Sequence, residues 1–284
     1  MDLESTNLEV TDDSMYQTDQ NNNSIEIQNE YSLIEPSISK PVTADFDFEI
    51  LKAKIEKNYK QIAISRKMRK YYRRRYQLFT RFDDGILLDN ESRFSVTPEK
   101  VALHIAKKCF ESLGSNPNLT VLDAFCGSGG NTIAFAHYFN NVISCDIDFT
   151  KLQCAQHNST NVYKVGHKIN FLIQDFFSLD KTINCKIDLI FLSPPWGGVS
   201  YLETKQSDIS EFPLDAFHIY LYCLHKLDCE NIVYFLPRNS NIEQILYMAG
   251  PGGVVELEQN YLGPKLVALS AYYGYNLNDQ ISPE

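Results

Sequence analysis

Blocks of hydrophobic residues recur along most of this chain, and they alternate between two spacings. Continuous apolar runs, which are typical of strands buried on both faces, predict strands at 120–125, 142–147, 169–174, 187–193 and 231–236. Apolar residues at helical spacing predict helices near 131–139, 149–157, 214–228 and 241–249. Because strands and helices alternate, we expect an α/β fold with a mainly parallel sheet and helices on both faces.

The two ends of this pattern depart from the alternation. Near the C-terminus, strand-like runs at 254–260 and 265–273 are joined by a Gly-Pro turn with no helix between them. We therefore expect the last strands to pair antiparallel, which brings the sheet to seven strands. Upstream, Thr97-Pro98-Glu99 predicts the start of a helix, with Thr97 as the N-cap, proline in the first position and an acid in the first turn.

The N-terminal part of the chain consists of two segments of opposite charge. Residues 1–50 contain twelve acidic residues and one basic residue, whereas residues 51–82 contain twelve basic residues and one acidic residue. Apolar residues in 1–45 are too sparse to offset the entropy of ordering, so we interpret this part as a disordered acidic tail. The remaining divisions that we predict are a helical extension at 46–97, the main domain at 98–275 and a C-terminal tail at 276–284.

The predicted extension interleaves basic and aromatic side chains, most densely from Arg66 to Tyr76. One interpretation is that it binds phosphates, because a local cluster of positive charge attracts a polyanion whatever the net charge of the chain. The alternative is an amphipathic helix whose tyrosines cover the core and whose charges are solvated. The near absence of acids that would pair with such a charged face favours phosphate binding.

Composition argues against several other classes of protein. Seven cysteines without regular spacing indicate reduced thiols, and the cysteines and histidines do not have the spacing of a zinc site. No apolar run approaches the roughly 20 residues of a membrane span, and the first residues lack the pattern of a signal peptide. We expect an intracellular protein with no membrane segment and no metal.

One stretch, from Leu189 to Gly198, combines a predicted buried strand with an unusual ending. It reads Leu-Ile-Phe-Leu-Ser-Pro-Pro-Trp-Gly-Gly and contains the single tryptophan, Trp196. Two prolines lack the N–H donors that a strand needs, so they end it and fix the backbone that follows. A flat base could stack on the aromatic ring with its exocyclic amine held toward a methyl donor. The alternative is a proline-terminated core strand with a partly buried tryptophan.

A second motif is the strand predicted at 120–125, which leads into a glycine-rich turn and a helix. Asp123 precedes the glycines and would repel a pyrophosphate, whereas the ammonium group of S-adenosylmethionine would suit it. Asp146 ends the next strand and could accept hydrogen bonds from both ribose hydroxyls. Asp175 and Phe176 follow the third strand, where the acid could bind the adenine amine and the ring could cover the base. Together they predict a cofactor site at the carboxyl ends of successive strands.

These motifs resemble those of the trimethylguanosine synthase family, which methylates the m7G cap of small nuclear and small nucleolar RNAs. The resemblance runs from about Lys70 to Tyr273. It rests on four stretches of sequence: Arg81 to Gly85, Phe94 to Lys100, Ser193 to Gly198, and Phe235 to Asn239. It implies a Rossmann-like class I S-adenosylmethionine-dependent methyltransferase fold, with a mainly parallel seven-stranded sheet, an antiparallel last strand and an N-terminal helical extension.

The resemblance also implies roles for individual residues. Trp196 would stack on m7G, Ser193 and Pro194 would face the guanine edge as part of the catalytic motif, and Lys70 and Arg238 would approach the cap phosphates, with Asn239 beside them. The implied cofactor-binding residues are Phe79, Thr97, Asp123, Phe125, Cys126, Gly127, Asn131, Thr132, Asp146, Asp175 and Phe176. Because the turn Gly263-Pro264-Lys265 departs from the family pattern, we assign no role to Lys265.

The implied activity is transfer of methyl groups from S-adenosylmethionine to N2 of m7G, giving 2,2,7-trimethylguanosine. Implied partners are m7G-capped small nuclear or nucleolar RNAs and the proteins of their particles, and we expect a monomer in the nucleus. One alternative is another amino-group methyltransferase, acting on ribosomal guanine N2 or on adenine, whose motif usually carries Asn or Asp in place of Ser193. The other is a non-catalytic cap-binding module, which the intact acids and glycines of the cofactor motifs argue against.

Overall fold

A computed structural model describes Lys52, residues 72–198 and residues 205–278. The described residues contain one sheet, whose strands are β1 (Thr120–Asp123), β2 (Asn141–Asp146), β3 (Ile169–Ile173), β4 (Leu189–Leu192), β5 (Ile232–Pro237), β6 (Val255–Leu262) and β7 (Lys265–Tyr273). Their spatial order is β3-β2-β1-β4-β5-β7-β6. The first five strands are parallel, and β7 pairs antiparallel with both β5 and β6. The predicted fold class and the antiparallel ending are confirmed.

The centre of the sheet is buried on both faces, as the continuous apolar runs predict. All four residues of β4 are buried and point alternately to opposite sides. Leu189 and Phe191 join one hydrophobic cluster, and Ile190 and Leu192 join the other. Two helical layers are therefore needed to cover the sheet, one on each face.

The α-helices of the described residues are α1 (Arg75–Leu78), α2 (Ser92–Ser95), α3 (Glu99–Ser112), α4 (Gly130–Tyr138), α5 (Phe149–His157), α6 (Ala216–His225) and α7 (Ile242–Met248). The last four lie close to the four predicted ranges, whereas α1 and α2 had no predicted range of their own. Helix α5 has the predicted bounds, because the Asp148 carboxylate accepts hydrogen bonds from the amides of Thr150 and Lys151 at its first turn. Helix α6 is shorter than predicted, since the Asp215 side chain caps it and Asp228 adopts a left-handed conformation beyond its end.

The prediction that Thr97 is the N-cap of the first long helix is wrong. Helix α3 begins at Glu99, the residue before it is Pro98, and no side chain caps it by a hydrogen bond. Thr97 is buried, and its hydroxyl accepts a hydrogen bond from Asn131 Nδ2 at 2.9 Å. The hydroxyl is used in a contact with α4 and not at the helix end.

The described part of the extension packs tightly on the sheet domain. Leu78 and Phe79 belong to the hydrophobic core, and Phe79 is 2% exposed. Thr80 donates hydrogen bonds to Glu99 from its backbone N–H and its hydroxyl. The Tyr163 hydroxyl donates to the same carboxylate at 2.9 Å. Glu99 therefore joins the extension to the first turn of α3 and to the segment after α5.

Within the described extension, Arg75 contacts aromatic rings of the protein itself. Its guanidinium lies 4.1 Å from the ring centroid of Tyr72 and 4.2 Å from that of Tyr76. Arg81 pairs with Asp84 at 2.7 Å. Arg75 and Arg81 therefore contact groups of the protein itself, which neither of the two interpretations predicted. Lys70, most of the run from Arg66 to Tyr76, and the predicted acidic tail lie outside the described residues.

Candidate active site

A cavity of about 710 Å³ lies at the carboxyl ends of the parallel strands. Its position matches the point between β1 and β4 where the strand order reverses, which is where open α/β sheets bind ligands. The extension forms part of its wall. Twelve predicted site residues line it: Thr97, Phe125, Cys126, Gly127, Asn131, Asp146, Asp175, Phe176, Ser193, Pro194, Trp196 and Arg238.

The glycine-rich turn and Asp146 form one rigid edge of this cavity. Gly129 has φ +90°, and a Cβ atom there would meet Ala155 at 3.0 Å, so glycine is required for both conformation and space. Asp146 Oδ2 accepts a hydrogen bond from the Gly127 amide at 2.9 Å, and Oδ1 accepts one from the Asp148 amide at 2.9 Å. The carboxylate is thus fixed against the turn, with further lone pairs free to accept ligand hydroxyls.

Burial raises the pKa of Asp146 above its usual range, while the hydrogen bonds from the Asp148 and Gly127 amides oppose that rise. A carboxylate that is largely removed from water forms stronger hydrogen bonds to a bound hydroxyl than an exposed one does. This environment fits the predicted contact with ribose.

An aromatic pair forms the next part of the wall. The rings of Phe125 and Phe176 are stacked, with centroids 5.0 Å apart and planes at 27°. Asp175 and Ile147 line the same cavity, and Ile147 is 71% exposed. An apolar residue this exposed beside a carboxylate offers a surface for a flat ring. Sequence reasoning missed Ile147, although its place directly after Asp146 could have indicated it.

The Ser-Pro-Pro-Trp stretch lies on another part of the wall. The Ser193 hydroxyl donates a hydrogen bond to the Phe125 carbonyl at 3.3 Å, which ties this loop to the end of β1. The Trp196 ring packs on Phe235 of β5, with centroids 5.6 Å apart and planes at 34°. Trp196 is partly buried and also lines the cavity. Phe235 therefore supports the indole on one side, while the indole borders the ligand space.

Several cationic side chains also border the cavity. Besides Arg238, they are Arg74 and Arg93 from the extension, Lys151 from α5 and Lys265 from β7. Lys151 pairs with Glu91 at 2.8 Å. Sequence reasoning gave none of the four added residues a specific role. The signal for Arg74 was the basic-aromatic run, but periodicity alone cannot say which of its arginines faces the site.

Four predicted site residues do not line the cavity, and a fifth, Lys70, lies outside the described residues. The four are Phe79, Asp123, Thr132 and Asn239. Asp123 is fully buried, and its Oδ2 accepts a hydrogen bond from the Thr132 hydroxyl at 2.6 Å. Burial raises the pKa of Asp123 to about 7. Its carboxylate contacts α4 inside the domain and does not border the space where a cofactor ammonium was expected.

Comparisons with known proteins agree with this geometry. Residues 118–271 match the sequence profile of the family described as RNA cap guanine-N2 methyltransferase. The trimethylguanosine synthase of Schizosaccharomyces pombe is 38% identical over 186 residues, which are 64% of this chain and 75% of that protein.

The chain belongs to the RNA cap guanine-N2 methyltransferase family.

The trimethylguanosine synthase of Saccharomyces cerevisiae is also similar to this chain. The two are 35% identical over 189 residues, which are 63% of this chain and 57% of that protein. A crystal structure of a putative methyltransferase from Porphyromonas gingivalis W83 superposes with a TM-score of 0.59 at 16% identity, covering 81% of this chain and 59% of the other, and shares the fold. The family profile begins just before β1, so the extension residues in the cavity wall lie outside it.

The described residues contain neither a membrane-spanning helix nor a cluster of metal ligands. No helix in the described ranges is long and apolar enough to cross a membrane. Among the residues that the structure describes, no three His, Cys, Asp or Glu side chains are grouped so that they could hold a metal ion.

Proposed function

We propose that this protein methylates N2 of the guanine in an m7G RNA cap, twice, with S-adenosylmethionine as the methyl donor, to give 2,2,7-trimethylguanosine. The observation that carries the proposal is that one cavity brings together Asp146 beside the glycine-rich turn and Ser193 to Trp196 at the end of β4. Family membership and the printed names of the two yeast relatives support the cap as substrate.

The residues at the first of these places fit S-adenosylmethionine. The Asp146 carboxylate can accept hydrogen bonds from ribose hydroxyls while it holds the Gly127 amide. Ile147 and the buried Phe176 supply apolar surface for the adenine ring, and Asp175 supplies an acceptor for its amine. Fully buried Asp123 has no described contact with this space, so we expect it to position α4 through Thr132.

The residues at the second place fit a positively charged, flat purine that carries phosphates. Trp196 is held by Phe235 and can stack on the base. Arg238 and Lys265 line the cavity and can neutralise cap phosphates, with Arg74 approaching from the extension. The hydrogen bond from Ser193 to the Phe125 carbonyl fixes the loop that would hold the guanine edge.

Bound S-adenosylmethionine would supply an electrophilic methyl group for the N2 lone pair, and the transfer would release S-adenosylhomocysteine and pass the N2 proton to water. The protein's part is to hold the amine in line with the methyl group, since positioning of this kind can supply several kcal/mol of the barrier reduction. Pro194 and Pro195 stiffen the backbone that presents Trp196. We assign no general base.

The test is methyl transfer to three capped dinucleotides, followed by mass spectrometry. We expect the m7G-capped dinucleotide to gain two methyl groups. An N7-methylinosine cap has the same charge and phosphates but lacks the exocyclic amine, and it should gain none. An unmethylated guanosine cap should react poorly. Absence of product from the m7G cap, or product from the inosine cap, would contradict the proposal.

Within the same proposal, the capped substrates are small nuclear and small nucleolar RNAs, and the protein acts in the nucleus beside the proteins of those particles. The basic run of the extension supports an RNA substrate. Sequencing of RNAs crosslinked to the protein in cells, together with its location by fluorescence, tests these two points. Crosslinks confined to ribosomal RNA would favour the other amino-group methyltransferase.

A further inference from the structure

One buried side chain, Asn158, joins the extension to the glycine-rich turn. Asn158 Nδ2 donates to the Leu87 carbonyl at 2.9 Å and to the Ser128 carbonyl at 3.0 Å. Its Oδ1 accepts from the Leu87 amide at 2.8 Å. Asn158 is fully buried, and both of its amide hydrogens are used. Leu87 belongs to the extension, and Ser128 is the middle residue of the turn beside Asp146.

A π-helical turn, which is rare in proteins, begins at Asn158. Helix α5 ends at His157, and the chain continues as a π-helical turn from Asn158 to Val162. The Tyr163 amide donates to the Asn158 carbonyl at 2.9 Å, five residues back. π-turns frequently occur at functional sites. Asn158 stands where the regular helix α5 changes into this turn, and its side chain lies between the extension and the glycine-rich turn.

Two more contacts connect the same parts of the molecule. The Ser128 hydroxyl donates to Ser92 Oγ at 2.7 Å, and Ser92 is the first residue of α2 in the extension. Lys151 of α5 pairs with Glu91 at 2.8 Å, and both border the cavity. The extension segment next to α2 is thus attached to the glycine-rich turn and to α5. It cannot shift without disturbing the backbone beside Asp146.

The attached segment faces the space that we assign to both ligands. Phe94 and Thr97 line the cavity together with Gly127 and Trp196. A ligand that fixes the position of the extension would therefore also fix the glycine-rich turn, through Asn158. A ligand that fixes the turn would fix the extension in the same way. Coupling between two sites requires such an element, one whose position both ligands favour, and it acts equally in both directions.

We propose that Asn158 is a positioning residue that couples binding of the methyl donor to binding of the capped RNA. The proposal rests on the proposed function, because it takes the two ligands from it. The amide orders the turn and the extension together, so either ligand prepares the site for the other. Asn158 itself does not line the cavity and is not a catalytic residue.

The experiment measures coupling by calorimetry on the full chain. The probes are S-adenosylhomocysteine, which cannot react, and an m7G-capped dinucleotide. The dissociation constant of S-adenosylhomocysteine is measured without and with saturating dinucleotide, and the ratio of the two constants is the coupling. We expect a ratio of about 5 or more for the parent, as is usual for linked sites. The ratio should fall to about 1 in Asn158→Ala.

Asn161→Ala is the matched control, since Asn161 lies on the same π-turn but is exposed, and within the described part of the chain its side chain hydrogen-bonds only to the His157 ring, at 2.8 Å. It should keep the parent ratio. Ser128→Ala removes the hydroxyl bonds to Ser92 and Asp89 of the extension but leaves those of Asn158, so it should lower the ratio in part. This milder variant tests the proposal even where Asn158→Ala fails to fold. A merely structural role would lower thermal stability and leave the ratio unchanged.

The inference fails where the parent methylates the cap but shows a ratio of 1. It also fails where Asn158→Ala folds and keeps the parent ratio. If Asn158→Ala does not fold, the inference fails where Ser128→Ala keeps the parent ratio. A parent that neither binds nor methylates the capped dinucleotide overturns the proposed function and, with it, the coupling. Direct titration of the parent with the dinucleotide alone separates the two failures.

Discussion

Replacing Trp196 with leucine should abolish the preference for an m7G cap over an unmethylated guanosine cap. Phe235 packs against the indole with centroids 5.6 Å apart, and the indole borders the cavity. A base would therefore stack on an aromatic surface that is already held in place, and little ordering entropy opposes the contact. Trp196→Leu keeps an apolar side chain but removes the π face, and Trp196→Phe keeps a smaller one.

The magnitude follows from the charge that distinguishes the two caps. Methylation at N7 leaves a delocalised positive charge on the purine, and a cation over an aromatic face gains about 0.5–2 kcal/mol. That range corresponds to about a 2- to 30-fold preference in kcat/KM. Stacking itself and contacts from Arg238 to the phosphates are common to both caps, so they cancel in the ratio. The leucine variant should lose the preference, and the phenylalanine variant should keep a weaker one.

The assay is kcat/KM on m7G-capped and guanosine-capped dinucleotides for each variant, at low and high salt. Phosphate contacts weaken with salt for both caps, so the ratio should change little. Phe235→Leu is the control: it removes the support under the indole and should lower activity more than it lowers the ratio. An equal preference in the parent and in Trp196→Leu would refute the reasoning, as would a parent that does not discriminate.

Three other predictions concern the cofactor side and the limits of the domain. Asp146→Ala should weaken binding of S-adenosylmethionine by a few kcal/mol in calorimetry, because it removes a charged acceptor and releases the Gly127 amide; unchanged affinity would place the ribose elsewhere. Burial raises the pKa of Asp123 from 3.8 in the unfolded chain to about 7 in the folded protein. Protonation of Asp123 therefore contributes its full stabilisation below pH 3.8, and this contribution is lost as the pH rises through about 7. Asp123→Asn should flatten that part of the curve of unfolding free energy against pH, and an unaltered curve would show that the carboxyl does not titrate there. Removing residues 1–45 should leave cap methylation intact and removing residues 1–82 should abolish it, since the second deletion takes core residues; equal activity of the two would exclude a role for the extension.

The pattern of residues along the chain was enough to locate the seven strands, the longer helices and twelve of the residues that line the cavity. Apolar runs and helical spacing depend only on which side chains are buried, so they located all seven strands and the bounds of α5. The carboxyl ends of parallel strands meet at one edge of a sheet, and this is why Asp146 and Ser193 could be assigned to one site from their places after two strands. Both residues line the cavity as predicted.

The direction of individual polar side chains could be read only from the folded protein. A carboxylate at a strand end can face either the ligand space or the adjoining helix. The Asp123 carboxylate faces helix α4, where it accepts a hydrogen bond from the Thr132 hydroxyl. Threonine often caps helices, yet the Thr97 hydroxyl accepts a hydrogen bond from Asn131 instead. The contacts of Asn158 join residues 71 and 30 positions apart in the chain, and no local pattern reports such neighbours. Periodicity records that a side chain is buried, whereas its partner is fixed by packing of distant segments.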